Sequence, residues 1–335
     1  MSKESIQKIL FLAHFYSDKD GVGALRSRTL SSFLKEKGVF CHVVTRRNNN
    51  LFMLGEIFYH IFFGGYQRVY VSCGPFKYLF LISLFCFFSR KKLIIDFRDP
   101  WSLNILNNYG ASLIEKKTLK YYIASFIEKL AYKISWRFVV CTKGMYVRYG
   151  ELFNDNNKLL IIENGYSFTP LMKKLDVNKN TLSIVCIGKF VEYNLEAAHK
   201  TLEDIKNKTI GKKIIINFVG ADQEKNNLLA YSIFPTAEIN FYKKLPYNEA
   251  VEIAKKSDVG ILIVRDEDIE YGTKIFDYIG LGIPFYSHLD KNKNFYNRFK
   301  KFIFDFDCWD SNFTLEDSKE CNRFFRYESF KGILY

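Results

Sequence analysis

The sequence predicts an α/β protein made of two Rossmann-like, doubly wound parallel-sheet domains in series, facing a cleft. Three observations predict it. Short apolar runs of strand length alternate with helical stretches, first through residues 1–165 and again beyond residue 180. A polar stretch, residues 166–180 (YSFTPLMKKLDVNKN), separates the two series. The chain has 335 residues, more than one hydrophobic core usually serves.

In the first series, strands are expected at 8–14, 41–46, 68–73, 93–97, 138–142 and 159–163, with helices at 24–37, 51–63, 76–88 and 113–135. In the second, strands are expected at 182–187, 213–219, 239–242, 258–264 and 283–287, with helices near 195–206, 248–256 and 273–281. The domains are then 1–165 and 166–310, and a tail, 311–335, packs back across them. In such sheets ligands sit beyond the carboxyl ends of the strands, and a cleft between the domains is the natural ligand site.

The totals narrow the class. Hydrophobic residues make up 48% and aromatic residues 17%, which suits a globular chain. The net charge of +13 is unevenly placed. Residues 1–165 hold 24 Lys and Arg against 12 Asp and Glu, a net +12, whereas residues 166–335 hold 25 against 24. A one-sided basic surface attracts anionic lipid, nucleic acid or phosphorylated substrates. No recognisable nucleic-acid motif accompanies it, so no nucleic-acid partner is expected. Seven cysteines form no C-x-x-C pair. Cys41, Cys73, Cys141 and Cys186 lie in apolar runs and read as buried thiols of a reducing cytosol. The start, MSKESIQKIL, lacks the apolar core of a signal peptide. The longest apolar run, residues 78–88, is 11 residues, and spanning a bilayer takes ~20. A cytoplasmic protein is expected, with an option to lie on the inner face of the membrane.

Residues 272–284 (GTKIFDYIGLGIP) follow the apolar run 258–264 and precede the strand-like run 283–288. Thr273 can cap a helix there, Gly282 can end it and Pro284 forbids its continuation. Lys274 places a positive charge in the first turn, where a phosphate is welcome. Asp277 lies one turn deeper and can accept hydrogen bonds from two neighbouring hydroxyls, as on a ribose. A solvated Lys–Asp pair is the plainer alternative.

Residues 94–102 (IIDFRDPWS) set Asp96, Arg98 and Asp99 at the end of an apolar strand, with Trp101 as a wall for a sugar ring. An Arg–Asp pair locking a loop would explain the same residues. The loop 14–26 (HFYSDKDGVGALR) holds Gly21 and Gly23, which allow a ligand close to the backbone, but Arg26 stands where a dinucleotide motif needs glycine. His14 ends the first strand and can serve as a base or simply close the strand. The other histidines, His42, His60, His199 and His288, show no metal-ligand spacing. Asp266-Glu267-Asp268 and Asp305-Phe306-Asp307 spell D-x-D, a pattern that arises readily by chance. No metal and no cofactor are expected. Residues 51–63 and 78–88 are unusually aromatic, suited to the core or to a membrane interface.

The strand ending in DFRDPW, the G-V-G-A-L-R loop, residues 162–165 (IENG) and the late T-K-I-F-D-Y-I-x-x-G-x-P together resemble glycosyltransferases of the GT-B fold. The likeness is to the large retaining family, group 1 or family 4-like, that builds bacterial polysaccharides, and it covers about residues 8–290. The resemblance implies that Asp277, where Glu is usual, holds the donor ribose. It implies that Gly188 and Lys189, matching G-K-F, meet the diphosphate with Lys274, Thr273 and the amides of Gly21 and Gly23. A second Glu of the family falls on Ile269 and a further Lys on Asn194, so the motif is incomplete. The implied activity moves a sugar from a nucleotide-sugar to a glycan or lipid-diphosphate-linked acceptor, with Asp99, Arg98 and Asp96 lining the reaction centre, without a metal and with retention. The alternatives are a catalytically degenerate binding protein and a nucleotide-sugar epimerase on the same fold.

Overall fold

The structure is a computed structural model of the chain, describing residues 7–74, 76–107, 116–172, 180–307 and 313–334. It divides into two compact units, Met1–Glu163 with Tyr327–Tyr335, and Asn164–Arg326.

The first unit is a six-stranded parallel sheet. Its strands are β1 (Lys8–Ala13), β2 (Phe40–Thr45), β3 (Arg68–Cys73), β4 (Lys92–Phe97), β5 (Arg137–Val140) and β6 (Leu159–Ile161), in the order β2-β1-β3-β4-β5-β6. The helices between them are α1 (Val22–Glu36), α2 (Asn50–Phe63), α3 (Leu79–Phe88), α4 (Ser102–Leu106), α5 (Leu119–Ile134) and α6 (Lys143–Phe153). Alternation along the strands sorts side chains to two faces. Ile9, Phe11, Tyr70, Ile94 and Val139 pack with Leu30, Phe33 and Leu34 of α1 and with Tyr327 and Phe330. Side-chain caps fix the starts of three helices. Asn49 accepts the N–H groups of Leu51 and Phe52, Thr118 that of Tyr121, and Thr142 that of Met145.

The second unit is a five-stranded parallel sheet of β7 (Thr181–Ile187), β8 (Lys213–Val219), β9 (Glu238–Tyr242), β10 (Val259–Ile261) and β11 (Phe285–Tyr286), in the order β11-β10-β7-β8-β9. Its helices are α7 (Leu195–Lys208), α8 (Gln223–Ile233), α9 (Tyr247–Lys255), α10 (Lys274–Gly280), α11 (Asn294–Phe299) and α12 (Leu315–Lys319), and α13 (Arg323–Leu334) closes the described chain. Helix α10 ends as the sequence predicts. Gly282 takes φ +68°, its N–H donates to the Ile279 carbonyl, and the Ile283 N–H donates to the Tyr278 carbonyl.

Several expectations change. The run 258–264 yields only β10, which pairs with β11 over two residues, since Pro284 has no N–H to extend the ladder. Residue 166 is not linker: Tyr166 is 1% exposed, its ring lies against Gly280, and its hydroxyl donates to the Ser318 carbonyl. Residues 173–179 of that stretch, 113–115 of the expected helix and Asp310 at the expected domain boundary lie outside the described residues. Helices α4, α6, α8, α11, α12 and α13 were not expected. Cys41, Cys73, Cys141 and Cys186 are buried free thiols, as is Cys86, and Cys321 is buried as well.

Candidate active site

In a doubly wound sheet the crevice opens where successive crossovers leave in opposite directions. In the second unit that point lies between β7, which continues to β8 and β9, and β10, which continues to β11. The loop after β7 carries Gly188 and Lys189. Gly188 sits at φ +92°, where a side chain would be strained, and no atom comes within 4 Å of a Cβ built on it. The loop after β10 carries Arg265. The two loops meet on one ring: the Lys189 ammonium lies 5.9 Å and the Arg265 guanidinium 5.6 Å from the centre of Tyr193. Arg265 is itself anchored by Glu270, with Nη2–Oε1 2.7 Å and Nε–Oε2 3.0 Å. Sequence reasoning missed Arg265 and Tyr193. A charge ending the apolar run 258–264 was the available signal, the one used for Asp96 and Arg98.

Asp277 lies in the first turn of α10, 5% exposed. Its Oδ1 accepts from the Tyr247 hydroxyl at 2.7 Å, and Oδ2 faces the Lys274 ammonium at 3.5 Å. Lys274 also lies 5.6 Å from the Tyr247 ring centre. Burial, and then the Asp277 charge, push the Tyr247 hydroxyl far above its ordinary range, so it stays a donor. The Lys–Asp pair of the plainer reading is present but largely buried rather than solvated, and Tyr247 is a partner the sequence did not disclose. Beneath this cluster Tyr278 takes the Ile187 N–H at 3.0 Å and reaches the Val185 and Ile261 carbonyls, pinning the ends of β7 and β10.

In the first unit the corresponding point lies between β1 and β3. His14 follows β1, half-buried, its ring edge-on to Phe15. His14 and Arg46 help line a small pocket of about 40 Å³, otherwise mostly apolar, at the ends of β1, β2 and β3. Arg98 reaches across the strand ends and donates to the Gly23 carbonyl, and its Nη2 is the nearest atom to a Cβ built on Gly74, at 3.7 Å. Among the described residues its buried Nε finds no hydrogen-bond partner. Gly21 holds φ +60° before α1, with open space where a side chain would point. Asp99 is exposed. The Trp101 ring stacks on Phe76 with centres 5.0 Å apart and planes 4° apart, so one of its faces is already covered. The Trp101 backbone N–H donates to the Tyr149 hydroxyl, which donates to Glu128 at 2.8 Å.

No protein-family model matches the sequence, and no curated protein matches it. Solved structures do. One is WaaG, a glycosyltransferase involved in lipopolysaccharide biosynthesis, at 12% identity over 96% of this chain and 91% of that one, with a TM-score of 0.58. Another is Anabaena Alr3699/HepE in complex with UDP and glucose, at 12% identity over 83% and 80%, with a TM-score of 0.53. A third is a protein assigned as a UDP-N-acetylglucosamine 2-epimerase from Listeria monocytogenes, at 13% identity over 84% and 78%, with a TM-score of 0.51. The chain has the GT-B fold.

On the GT-B frame three expectations need correction. Asp96 does not line a reaction centre. It shares a sheet face with Ile94, points toward α1 and is 0% exposed. Arg26 grips both oxygens, Nε–Oδ2 2.7 Å and Nη2–Oδ1 2.9 Å, and the Tyr70 hydroxyl donates to Oδ2. Thr273 does not cap α10: its backbone is already helical and its side chain makes no cap hydrogen bond. The histidines, unpatterned along the chain, do converge in space. His42, Glu56 and His60 bring their candidate ligand atoms within 4.8 Å of one another. The D-x-D aspartates serve other ends. Asp268 pairs with Lys293 and Asp307 with Lys208, while Asp266 and Asp305 accept backbone N–H groups. Ile269 is buried, and the Asn194 side chain caps α7.

Proposed function

We propose that the chain is a glycosyltransferase that moves a sugar from a nucleotide-sugar to a glycan or lipid-diphosphate-linked acceptor in bacterial surface polysaccharide assembly. The observation that carries this reading is the meeting of Lys189 and Arg265 on Tyr193 at the switch point of the second unit. A departing nucleoside diphosphate gathers negative charge, and fixed cations favour that charge most in the transition state. Lys189, Arg265 and Lys274 supply it from the protein, so the scheme needs no metal. Asp277 offers a carboxylate to the ribose hydroxyls, which would replace Tyr247 or Lys274 on it. The family resemblance supports retention of configuration.

The first unit would receive the acceptor, with Asp99, Arg98 and His14 at the strand ends and Trp101 as a partial wall. The basic excess of residues 1–165 suits an anionic membrane surface. Among the described residues no helix is long and apolar enough to cross a membrane, and the protein would lie on the cytoplasmic face.

A thermal-shift screen of the purified chain against UDP, GDP, CMP, ADP, dTDP and NAD tests the reading. A rise with one nucleoside diphosphate that Asp277→Ala abolishes supports a donor site in the second unit and names the base. No rise with any of them sinks it. Buried Ile269 and the capping role of Asn194 favour one rival, a degenerate binding protein, which would bind donor without turnover. An epimerase would convert the donor with no acceptor present.

A further inference from the structure

We propose that His42, Glu56 and His60 bind one divalent transition-metal ion, with zinc as the first choice, and that the ion ties edge strand β2 to helix α2 in the first unit. The site is built from two elements. His42 comes from β2, which lies at the edge of its sheet. Glu56 and His60 are four residues apart on α2 and so share one of its faces. The two imidazole centres lie 4.3 Å apart with planes inclined by 45°, so the rings are not parallel stacked. Tyr66, 6% exposed, closes one side, with its ring 5.8 Å from His42 and 5.9 Å from His60. All three candidate ligands are half-buried, which leaves an entry path from solvent.

Two imidazoles and a carboxylate are a donor set that zinc takes, with a fourth position open to water. A metal binds such ligands in their deprotonated form, so its affinity depends on pH. Arg47 grips Glu56 with Nε–Oε2 3.1 Å and Nη2–Oε1 3.0 Å, half-exposed itself, and so fixes the carboxylate beside the rings. A metal ion would share that carboxylate with Arg47. Nothing in the proposed transfer chemistry uses these residues, so the ion would be structural.

Calorimetric titration of the chelator-stripped full chain with Zn2+ tests the proposal. One equivalent should bind in the micromolar range or tighter, and His42→Gln and His60→Gln should each weaken it at least about tenfold, the scale on which metal sites respond to altered ligation. Absence of saturable binding, or binding unchanged in both variants, overturns the proposal. The Co2+ form of the unaltered chain identifies the ligands should a variant fail to fold. Two hyperfine-shifted exchangeable imidazole N–H signals are expected. Their absence, or a thiolate-to-cobalt charge-transfer band, overturns it equally.

Discussion

At the residue scale, two buried carboxylates behave in opposite ways. Asp96 is fully paired by Arg26 and Tyr70. Replacing it by Asn removes the carboxylate that the buried Arg26 guanidinium grips with two N–H groups, and breaking such a pair costs about 3–5 kcal/mol. Urea denaturation should therefore show Asp96→Asn as a folding variant, whereas exposed Asp99→Asn should unfold like the parent. Equal midpoints for the two would refute the structural role of Asp96. Glu128 is buried with only part of its hydrogen-bonding capacity used: Oε1 accepts from Tyr149 and from the Ser102 N–H, and among the described residues Oε2 accepts no hydrogen bond. Burial pushes its carboxyl from 4.5 up to about 7. Below pH 4.5 the group is protonated in both folded and unfolded chains. Between 4.5 and about 7 the unfolded chain releases the proton first, so stability falls as pH rises through that window. Glu128→Gln removes this fall. The variant should match the parent at low pH and exceed it by up to about 3 kcal/mol at pH 8. A pH-independent difference between the two would remove Glu128 as the titrating group.

At the level of elements, the seam between β10 and α10 offers a test of packing. A Cβ added to Gly260 would sit 2.6 Å from the Tyr278 ring, and that ring holds the ends of β7 and β10. Gly260→Ala should therefore cost about 1–3 kcal/mol through overpacking. Gly55, exposed inside α2 with nothing near a built Cβ, should respond in the other direction. Gly55→Ala is expected to stabilise by about 0.5–1 kcal/mol. Thermal melts of the two variants check both signs, and a Gly260→Ala melt at or above the parent's would refute the packing. The same elements show what was legible in the sequence. β3 is buried along its whole length and read as an apolar run, as did β1 and β4. The run 283–287 was also read as a strand, and only Phe285 and Tyr286 of it pair as β11. Helix α6 (KGMYVRYGELF) was missed because its glycines, tyrosines and valine are weak helix formers and only the Thr142 cap marks its start. At the candidate site, Lys274 and Asp277 were readable because they are three residues apart. Their partner Tyr247, the Arg265–Tyr193–Lys189 grouping and the Arg26–Asp96 pair were not. Apart from Lys189 and Tyr193, which share a loop, those contacts join residues that only the crossover connections bring together.

At the scale of the whole molecule, the basic excess and the two aromatic-rich stretches, 51–63 and 78–88, fall in the same unit. On α2, Phe52, Tyr59 and Phe63 are exposed; on α3, Phe87 and Phe88; on α5, Leu119, Tyr122, Ile123 and Phe126. Helix α3 packs between α2 and α5, and Lys116, Lys117 and Lys120 stand exposed at the start of α5. The helices α2 and α3 have 14 and 10 residues, short of the ~20 that span a bilayer, so their side chains can enter an interface without crossing it. Two forces would then act together and can be separated. The lysines act through a screened field and should lose their effect in high salt. The aromatic rings act by burial, about 1.5–3 kcal/mol for a full side chain. Sedimentation with anionic vesicles should show binding that weakens but persists in high salt. Phe63→Ser with Phe126→Ser should lower it by about tenfold or more, given tenfold for each 1.4 kcal/mol. Binding abolished by salt and indifferent to the serines would assign attachment to charge alone and leave the aromatic side chains for a protein partner. Binding to neutral vesicles of equal strength would remove the basic unit from the account.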